Sequence, residues 1–183
     1  MLVPQRQGIV RRFLCLAETL PNLAMTCIQD GESTMITVTE LLATKRQKTP
    51  ISVRSTATVF DALQLMSDKQ VSALAVVDEP GKLTGVFTEW DCAHRITLCG
   101  RVAKETAVAE VMTPAESVYF VQPSNSIDEC MVLMTAKQIR HLPVLDHGHF
   151  VGLVSIGDVL RSLIAEKENI IEQLTGYIAA KHL

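Results

Sequence analysis

The sequence predicts an α/β (α+β) fold in which one β-α-β-β-α unit is used twice, and three observations predict it. The phrase Gly85-Val-Phe-Thr-Glu-Trp-Asp91 returns as Gly152-Leu-Val-Ser-Ile-Gly-Asp158. The helical stripe Val59, Leu63, Met66 returns as Ile127, Met131, Met134, and short apolar β-branched runs flank both stripes in the same order. The offset between copies is steady, 68 for the methionines (134 − 66) and 67 for the aspartates (158 − 91). The one-residue change falls in a turn, Asp78-Glu-Pro-Gly81 against Asp146-His-Gly148, where chains tolerate indels. A unit of about 60 residues buries too little surface alone, so the two copies are expected to pack sheet against sheet as a pseudo-twofold pair with clefts between them.

Residues 1–34 do not share this pattern. Arg6, Arg11 and Arg12 precede the first acid, Glu18, and the apolar patch Phe13-Leu-Cys-Leu-Ala17 is short for a secretory core. The segment reads as an ill-ordered extension ahead of Met35, with a mitochondrial transit peptide as the alternative. Residues 35–103 form the first repeat, 104–165 the second and 166–183 a C-terminal helix.

In the first repeat, Val38–Leu42 is a helical lead-in, Lys45-Arg-Gln-Lys48 a solvated loop, and Thr49-Pro-Ile-Ser-Val53 the start of a strand with Pro50 at its edge. Thr58 caps a helix to Lys69; Ala73–Val77 and Leu83–Phe87 are paired strands; a helix follows from Glu89 to about Leu98, closed by Gly100. In the second, Thr106–Met112 is the lead-in, ending at Thr113-Pro114. Val118–Val121 is a strand, Ile127–Lys137 a helix, and His141–Asp146 and Phe150–Val154 a hairpin. Beyond it Leu160, Ile164, Lys167, Ile171, Leu174 and Ile178 step by four and three, a heptad seam that either meets a partner helix or folds back on the chain's own core.

Composition narrows the function classes. A formal net charge of −3, with one Trp, two Tyr and five Phe, provides neither the basic footprint nor the stacking platforms of nucleic-acid binding. No apolar run approaches the roughly 20 residues of a membrane span, and a soluble cytoplasmic protein is expected. Cys15, Cys27, Cys92, Cys99 and Cys130 lack metal or redox spacing and read as buried thiols of a reducing compartment, with Cys92 and Cys99 on one helix face. His147 and His149 flank Gly148 in a turn without a carboxylate or Cys partner, so no metal site is expected, and His141 reads as a strand residue.

Chemistry concentrates where strand meets helix. Each helix mouth offers amides and a positive dipole end suited to phosphate, Thr88 or Ser155 adds a hydroxyl, and Asp91 or Asp158 offers an acceptor pair for vicinal ribose hydroxyls. Gly85 and Gly152 would let a flat base or backbone approach. A capped helix with a packed glycine is the plainer reading of a single copy.

Together with Thr113-Pro114 and Arg140-His-Leu-Pro-Val144, the two phrases resemble the tandem cystathionine-β-synthase (CBS) domain pair, or Bateman module, over about 70% of the chain. The resemblance implies a regulatory module that binds AMP, ADP, ATP, NAD(H) or S-adenosylmethionine between the repeats. It assigns Asp91 and Asp158 to ribose, Thr88 and Ser155 to phosphate, and the neighbourhoods of Ile51 and Val118 to the base. It also implies a homodimer and an unidentified regulated protein. Related chains often carry Ser-Glu-Arg-Asp in the first phrase; here Trp90 replaces the arginine, and Arg140 is either the substitute cation from the other repeat or an exposed arginine paired with a surface acid. No obligatory cofactor is expected. A ligand-free adaptor dimer is the alternative. An enzyme is disfavoured, since no nucleophile with a base, paired acids or P-loop is recognisable.

Overall fold

The computed structural model describes residues 36–45 and 50–181. The expectations for the N-terminal extension, for Cys15 and Cys27, for most of the 45–48 loop, and for the side chains of Leu174 and Ile178 lie outside the described residues.

The lead-in helix α1 (Val38–Thr44) is followed by strand β1 (Ser52–Val53), helix α2 (Val59–Lys69), and the hairpin β2 (Ala73–Glu79) and β3 (Lys82–Thr88). Helix α3 (Glu89–Asp91) then runs into a π-helical stretch, Cys92–Thr97. A 3₁₀ turn at Val108–Glu110, strand β4 (Thr113–Pro114) and a second 3₁₀ turn at Ala115–Ser117 open the second half. Helix α4 (Ile127–Lys137), strands β5 (His141–Asp146) and β6 (His149–Ser155), and the long helix α5 (Ile156–Lys181) complete it. One sheet has the order β1-β2-β3-β4, parallel only between β1 and β2; the other is the β5-β6 hairpin.

The duplication extends to backbone detail. Thr58 caps α2 and Ser126 caps α4, each in a reciprocal box with an acid three residues on, Asp61 or Glu129. Both helices end on a glutamine in the left-handed region, Gln70 at φ 53° and Gln138 at φ 54°. In the β5-β6 turn His147 and Gly148 both have positive φ, as a two-residue turn matched to strand twist requires.

Two expectations change. Val118–Val121 is not a strand: Ala115–Ser117 is a 3₁₀ turn and only Val121 pairs, bridging Val144 in parallel. Val121 N–H donates to the Pro143 carbonyl and Leu145 N–H to the Val121 carbonyl. The preceding rung would run from the amide of residue 143 to Tyr119, and Pro143 has no N–H to donate. In the first repeat Ala75 stands at that position and β1 pairs there over two residues, Ser52 with Ala75 and Val53 with Val76. The second change concerns the cysteines. The stretch after Asp91 is π-wound, with Leu98 N–H donating to the Ala93 carbonyl, and the helix stops at Thr97. A shared face therefore does not arise: Cys92 is half-buried and Cys99 exposed, while Cys130 is buried.

Each lead-in packs into the other repeat. Val38 and Leu41 of α1 join Ile127, Cys130, Met134, Leu142 and Val144 in one core; Val108 and Val111 join Val59, Met66, Leu74, Val76 and Phe87 in the other. The backbone seals the exchange: Ile127 N–H donates to the Ile36 carbonyl and Val38 N–H to Asn125, while Val59 N–H donates to Thr106 and Val108 N–H to Ala57. Separating the halves would therefore open both cores.

Helix α5 contributes Val159 and Leu163 to the second core. Its seam residues Leu160, Ile164 and Ile171 are instead 45%, 57% and 61% exposed, so the seam does not fold back onto the chain's own core. No helix among the described residues is long and apolar enough to cross a membrane.

Candidate functional site

A cleft of about 260 Å³ lies between the two repeats. Its walls come from the end of α1 (Leu42, Lys45), the approach to β1 (Pro50, Ile51), the α2–β2 junction, and the β6–α5 junction with Ser155, Asp158 and Arg161. Apolar residues such as Leu42, Ile51, Val71 and Val151 line it together with polar groups, of which Lys45, Ser155, Asp158 and Arg161 meet at the helix mouth.

The Ser155 hydroxyl donates to Asp158 Oδ2 at 2.6 Å and the Ser155 amide to the same oxygen at 2.9 Å, while Asp158 N–H returns to Ser155 Oγ at 3.2 Å. Two cations complete the shell. Lys45 Nζ lies 2.7 Å from Asp158 Oδ2 and also donates to the Leu153 carbonyl at 2.6 Å, and Arg161 Nη2 donates to Asp158 Oδ1 at 2.8 Å. Burial alone would raise the Asp158 carboxyl, but the Lys45 ammonium and the Ser155 hydroxyl and amide outweigh it and hold it at about 2. His141 faces the same cleft, its Nε2 3.1 Å from the Ser72 hydroxyl. Burial pushes its imidazole down to about 4, the Arg140 and Lys45 charges assisting and Asp158 opposing. It is therefore neutral at pH 7.

The first-repeat counterpart is built alike but closed. The Thr88 hydroxyl donates to Asp91 Oδ2 at 2.7 Å, and the Asp91 carboxylate, in a residue only 2% exposed, has Arg95 Nε at 3.7 Å. Arg95 also donates to the Val111 and Met112 carbonyls at 3.0 and 2.8 Å, strapping the second lead-in across the helix mouth. A Cβ at Gly85 would sit 2.6 Å from the Thr113 carbonyl oxygen, and one at Gly152 2.9 Å from Leu42 Cδ2. At Gly85 the close approach is by backbone, one of the two expected; at Gly152 the Leu42 side chain takes the space instead.

Of the expected site residues, the cleft thus gathers Ile51, Ser155 and Asp158. Thr88 and Asp91 sit together at the closed mouth. Val118 is half-buried and Arg140 exposed, and neither lines the cleft; the Arg140 carbonyl instead accepts from Ile156 N–H at the start of α5. Helix-mouth amides expected to be open are engaged, Ile156 with Arg140 and Asp158 with Ser155. The cations at the cleft are Lys45, read from sequence as part of a solvated loop, and Arg161. Arg161 was findable from its spacing, since a residue three after Asp158 shares its helix face. Lys45 carried no such signal. Trp90, in the place of the arginine of related chains, is 56% exposed and stacks on His94 with ring centroids 3.8 Å apart. Among the described residues no three His, Cys, Asp or Glu converge as a metal-ligating group.

The CBS domain family model matches the chain twice, over residues 36–97 and 108–165. The mitochondrial CBS domain-containing protein CBSX3 of Arabidopsis thaliana is 39% identical over 124 residues, 66% of this chain and 60% of that protein. The CBS domain-containing protein YhcV of Bacillus subtilis is 36% identical over 59% of this chain and 74% of its own length. The chain thus spans less than two thirds of CBSX3. Among solved structures, one with CBS domains from Burkholderia ambifaria is 45% identical with a TM-score of 0.67, covering 71% of this chain and 95% of that one. The CBS domain pair of protein MJ0100, in complex with 5′-methylthioadenosine and S-adenosylmethionine, is 26% identical with a TM-score of 0.60 over 70% of this chain and 99% of that one. With two matched repeats, each ending at a strand-to-helix junction with a hydroxyl and an acid, this chain belongs to the CBS-domain family.

Proposed function

We propose that the protein is a regulatory adenine-nucleotide-sensing module that binds an adenosyl ligand in the Asp158 cleft and passes its occupancy to a partner protein or to its own dimer. One observation carries this reading: the cleft between the repeats opens on a helix mouth where Ser155, Asp158, Lys45 and Arg161 converge. Asp158 supplies the acceptors for ribose hydroxyls and Ile51 an apolar wall for the base. Because this cleft is framed by both repeats, a ligand that prefers one relative orientation of them shifts that equilibrium by its differential affinity. The MJ0100 pair, solved with two adenosyl compounds, supports the ligand class.

Thr88 and Asp91 belong, on this reading, to a helix cap and core ion pair, so binding is expected at one site per chain. Val118 and Arg140 are assigned no contact with the ligand. The boundaries 35–103 and 104–165 for the repeats, 166–183 for the helix extension and 1–34 for the leading segment stand as our proposed division. A homodimer through α5 is proposed on the exposed seam of Leu160, Ile164 and Ile171. The setting is proposed as cytoplasmic, with a mitochondrial one carried by the arginines of residues 1–34 and the mitochondrial designation of the Arabidopsis relative.

A second reading has its own observation. The Asp158 carboxylate already receives bonds from Ser155, Lys45 and Arg161, as it would in a ligand-free structural or adaptor dimer. Calorimetric titration of nucleotide-stripped protein with AMP, ATP, NADH and S-adenosylmethionine decides between them. Binding at one site per chain that Asp158→Ala weakens supports the sensor; no heat with any of the four ends it.

A further inference from the structure

We propose that this cleft selects adenosyl ligands by charge, accepting those with an anionic 5′ substituent over those carrying a sulfonium, with Lys45 and Arg161 as the selecting residues. The inference rests on the adenosyl reading above and narrows its ligand class.

Among the described residues the charged side chains lining the cleft are Lys45, Asp158 and Arg161. The two cations hold opposite oxygens of one carboxylate, Lys45 on Oδ2 at 2.7 Å and Arg161 on Oδ1 at 2.8 Å. One carboxylate cannot neutralise both. His141 does not alter the count, because burial keeps its imidazole neutral at pH 7. The described residues of the cleft therefore carry one net positive charge. The excess is not fully left to solvent, since the Lys45 side chain is only 25% exposed and its further contact is a carbonyl oxygen, which carries no formal charge. Charges screened by bulk water interact weakly, but a partly buried one is screened much less.

Ligands that share adenosine then separate by their 5′ group. A phosphate supplies the missing negative charge and can take bidentate bonds from the Arg161 guanidinium. A thioether as in 5′-methylthioadenosine supplies none. In S-adenosylmethionine the methionyl carboxylate and ammonium cancel, so its sulfonium leaves one net positive charge added beside two cations that share a single carboxylate. Arg161, 77% exposed and on the first turns of α5, has room to swing from Asp158 to an incoming phosphate. The adenosyl compounds in the MJ0100 pair, at 26% identity, are one neutral and one sulfonium, so the preference inferred here belongs to this chain's own cations and not to the fold.

Titration calorimetry on the full chain, stripped of nucleotide, tests this with AMP, 5′-methylthioadenosine and S-adenosylmethionine. AMP is expected to bind tightest and S-adenosylmethionine weakest, separated by at least about tenfold, with the AMP affinity alone falling as salt rises. In Arg161→Met, and further in Lys45→Met/Arg161→Met, the AMP-to-S-adenosylmethionine ratio should collapse towards one. Arg161→Met alone suffices as the test if the double variant does not fold, because that side chain is largely in solvent. S-adenosylmethionine binding as tightly as AMP would overturn the charge selection and leave the adenosyl reading standing, and a ratio unmoved in the variants would overturn the roles of Lys45 and Arg161. Heat from none of the three compounds would overturn the charge selection, and the adenosyl reading falls with it only when ATP and NADH are silent as well.

Discussion

Lys45, at the end of the first repeat's lead-in, meets Asp158, in the first turn of the second repeat's last helix, at 2.7 Å. The pair spans the join between the repeats at the cleft. On the proposed function, a ligand that seats on Asp158 would share it with this ammonium or displace it, and occupancy of the cleft would then be coupled to where α1 sits. Because α1 is packed in the second core through Val38 and Leu41, a displaced Lys45 pulls on the element that ties the halves together.

Removing the acid should show both roles. Asp158→Ala is expected to weaken AMP binding by about 1.5–3 kcal/mol, the scale of a hydrogen bond to a charged group. It should also lower stability by roughly 1–3 kcal/mol, because Lys45 is left partly buried without its carboxylate. Calorimetry and urea unfolding read the two effects separately, and an unchanged affinity would place the ligand elsewhere.

Stability should fall with acid earlier than carboxylates alone would require. An unfolded histidine titrates near 6.5, whereas folded His141 is held at about 4, so between these values the unfolded chain binds a proton that the fold refuses. The contribution is fully present above about pH 6.5 and is lost as pH falls towards 4, to the extent of about 3 kcal/mol. Asp158, held at about 2, extends the loss from about pH 5 downward, where the unfolded carboxyl begins to protonate. Urea midpoints measured between pH 7 and 4.5 should slope downward in the wild type and flatten in His141→Gln.

The reciprocal cores make a prediction that a simple pair of independent repeats does not. Leu41→Ala, in the first lead-in, should cost about 2–5 kcal/mol and do so by loosening the second repeat, whose residues surround it. Hydrogen exchange should show lost protection in α4 and β5 ahead of β2 and β3. Loss confined to the first repeat would contradict the exchange of lead-ins.

The two motif glycines should differ in cost. At Gly85 an added methyl meets backbone, the Thr113 carbonyl oxygen at 2.6 Å, and β4 must move. At Gly152 it meets the tip of Leu42, which can turn aside. Gly85→Ala is therefore expected to destabilise by more than about 2 kcal/mol and Gly152→Ala by about 1 kcal/mol or less, measured by thermal melts and urea unfolding.

Helix α5 offers a test of the proposed dimer. Ile164→Glu should shift sedimentation towards the monomer while leaving urea stability measured at low protein concentration within about 0.5 kcal/mol, because the position is exposed on the single chain. An unchanged sedimentation profile would move the interface away from this seam.

Local order was legible in the residues. The α2 and α4 helices, the cap at Thr58, the β5-β6 hairpin and the duplication itself follow from periodicity, capping chemistry and turn residues, all of which act over a few positions. The Ser155–Asp158 and Thr88–Asp91 pairs were visible for the same reason, since their partners lie three residues apart.

Tertiary structure decided what depends on partners far along the chain. Lys45 reads as a loop residue until the fold carries it 113 positions away to Asp158. Two equivalent aspartates end in different surroundings because Arg95 has the Val111 and Met112 carbonyls within reach, closing one mouth, while Arg161, also on the helix that leaves its junction, turns towards an open cleft. A repeated sequence phrase determines the pair of helix mouths; which mouth stays open is set by the packing of the lead-in that crosses it, and that packing is long-range burial, which local spacing does not encode.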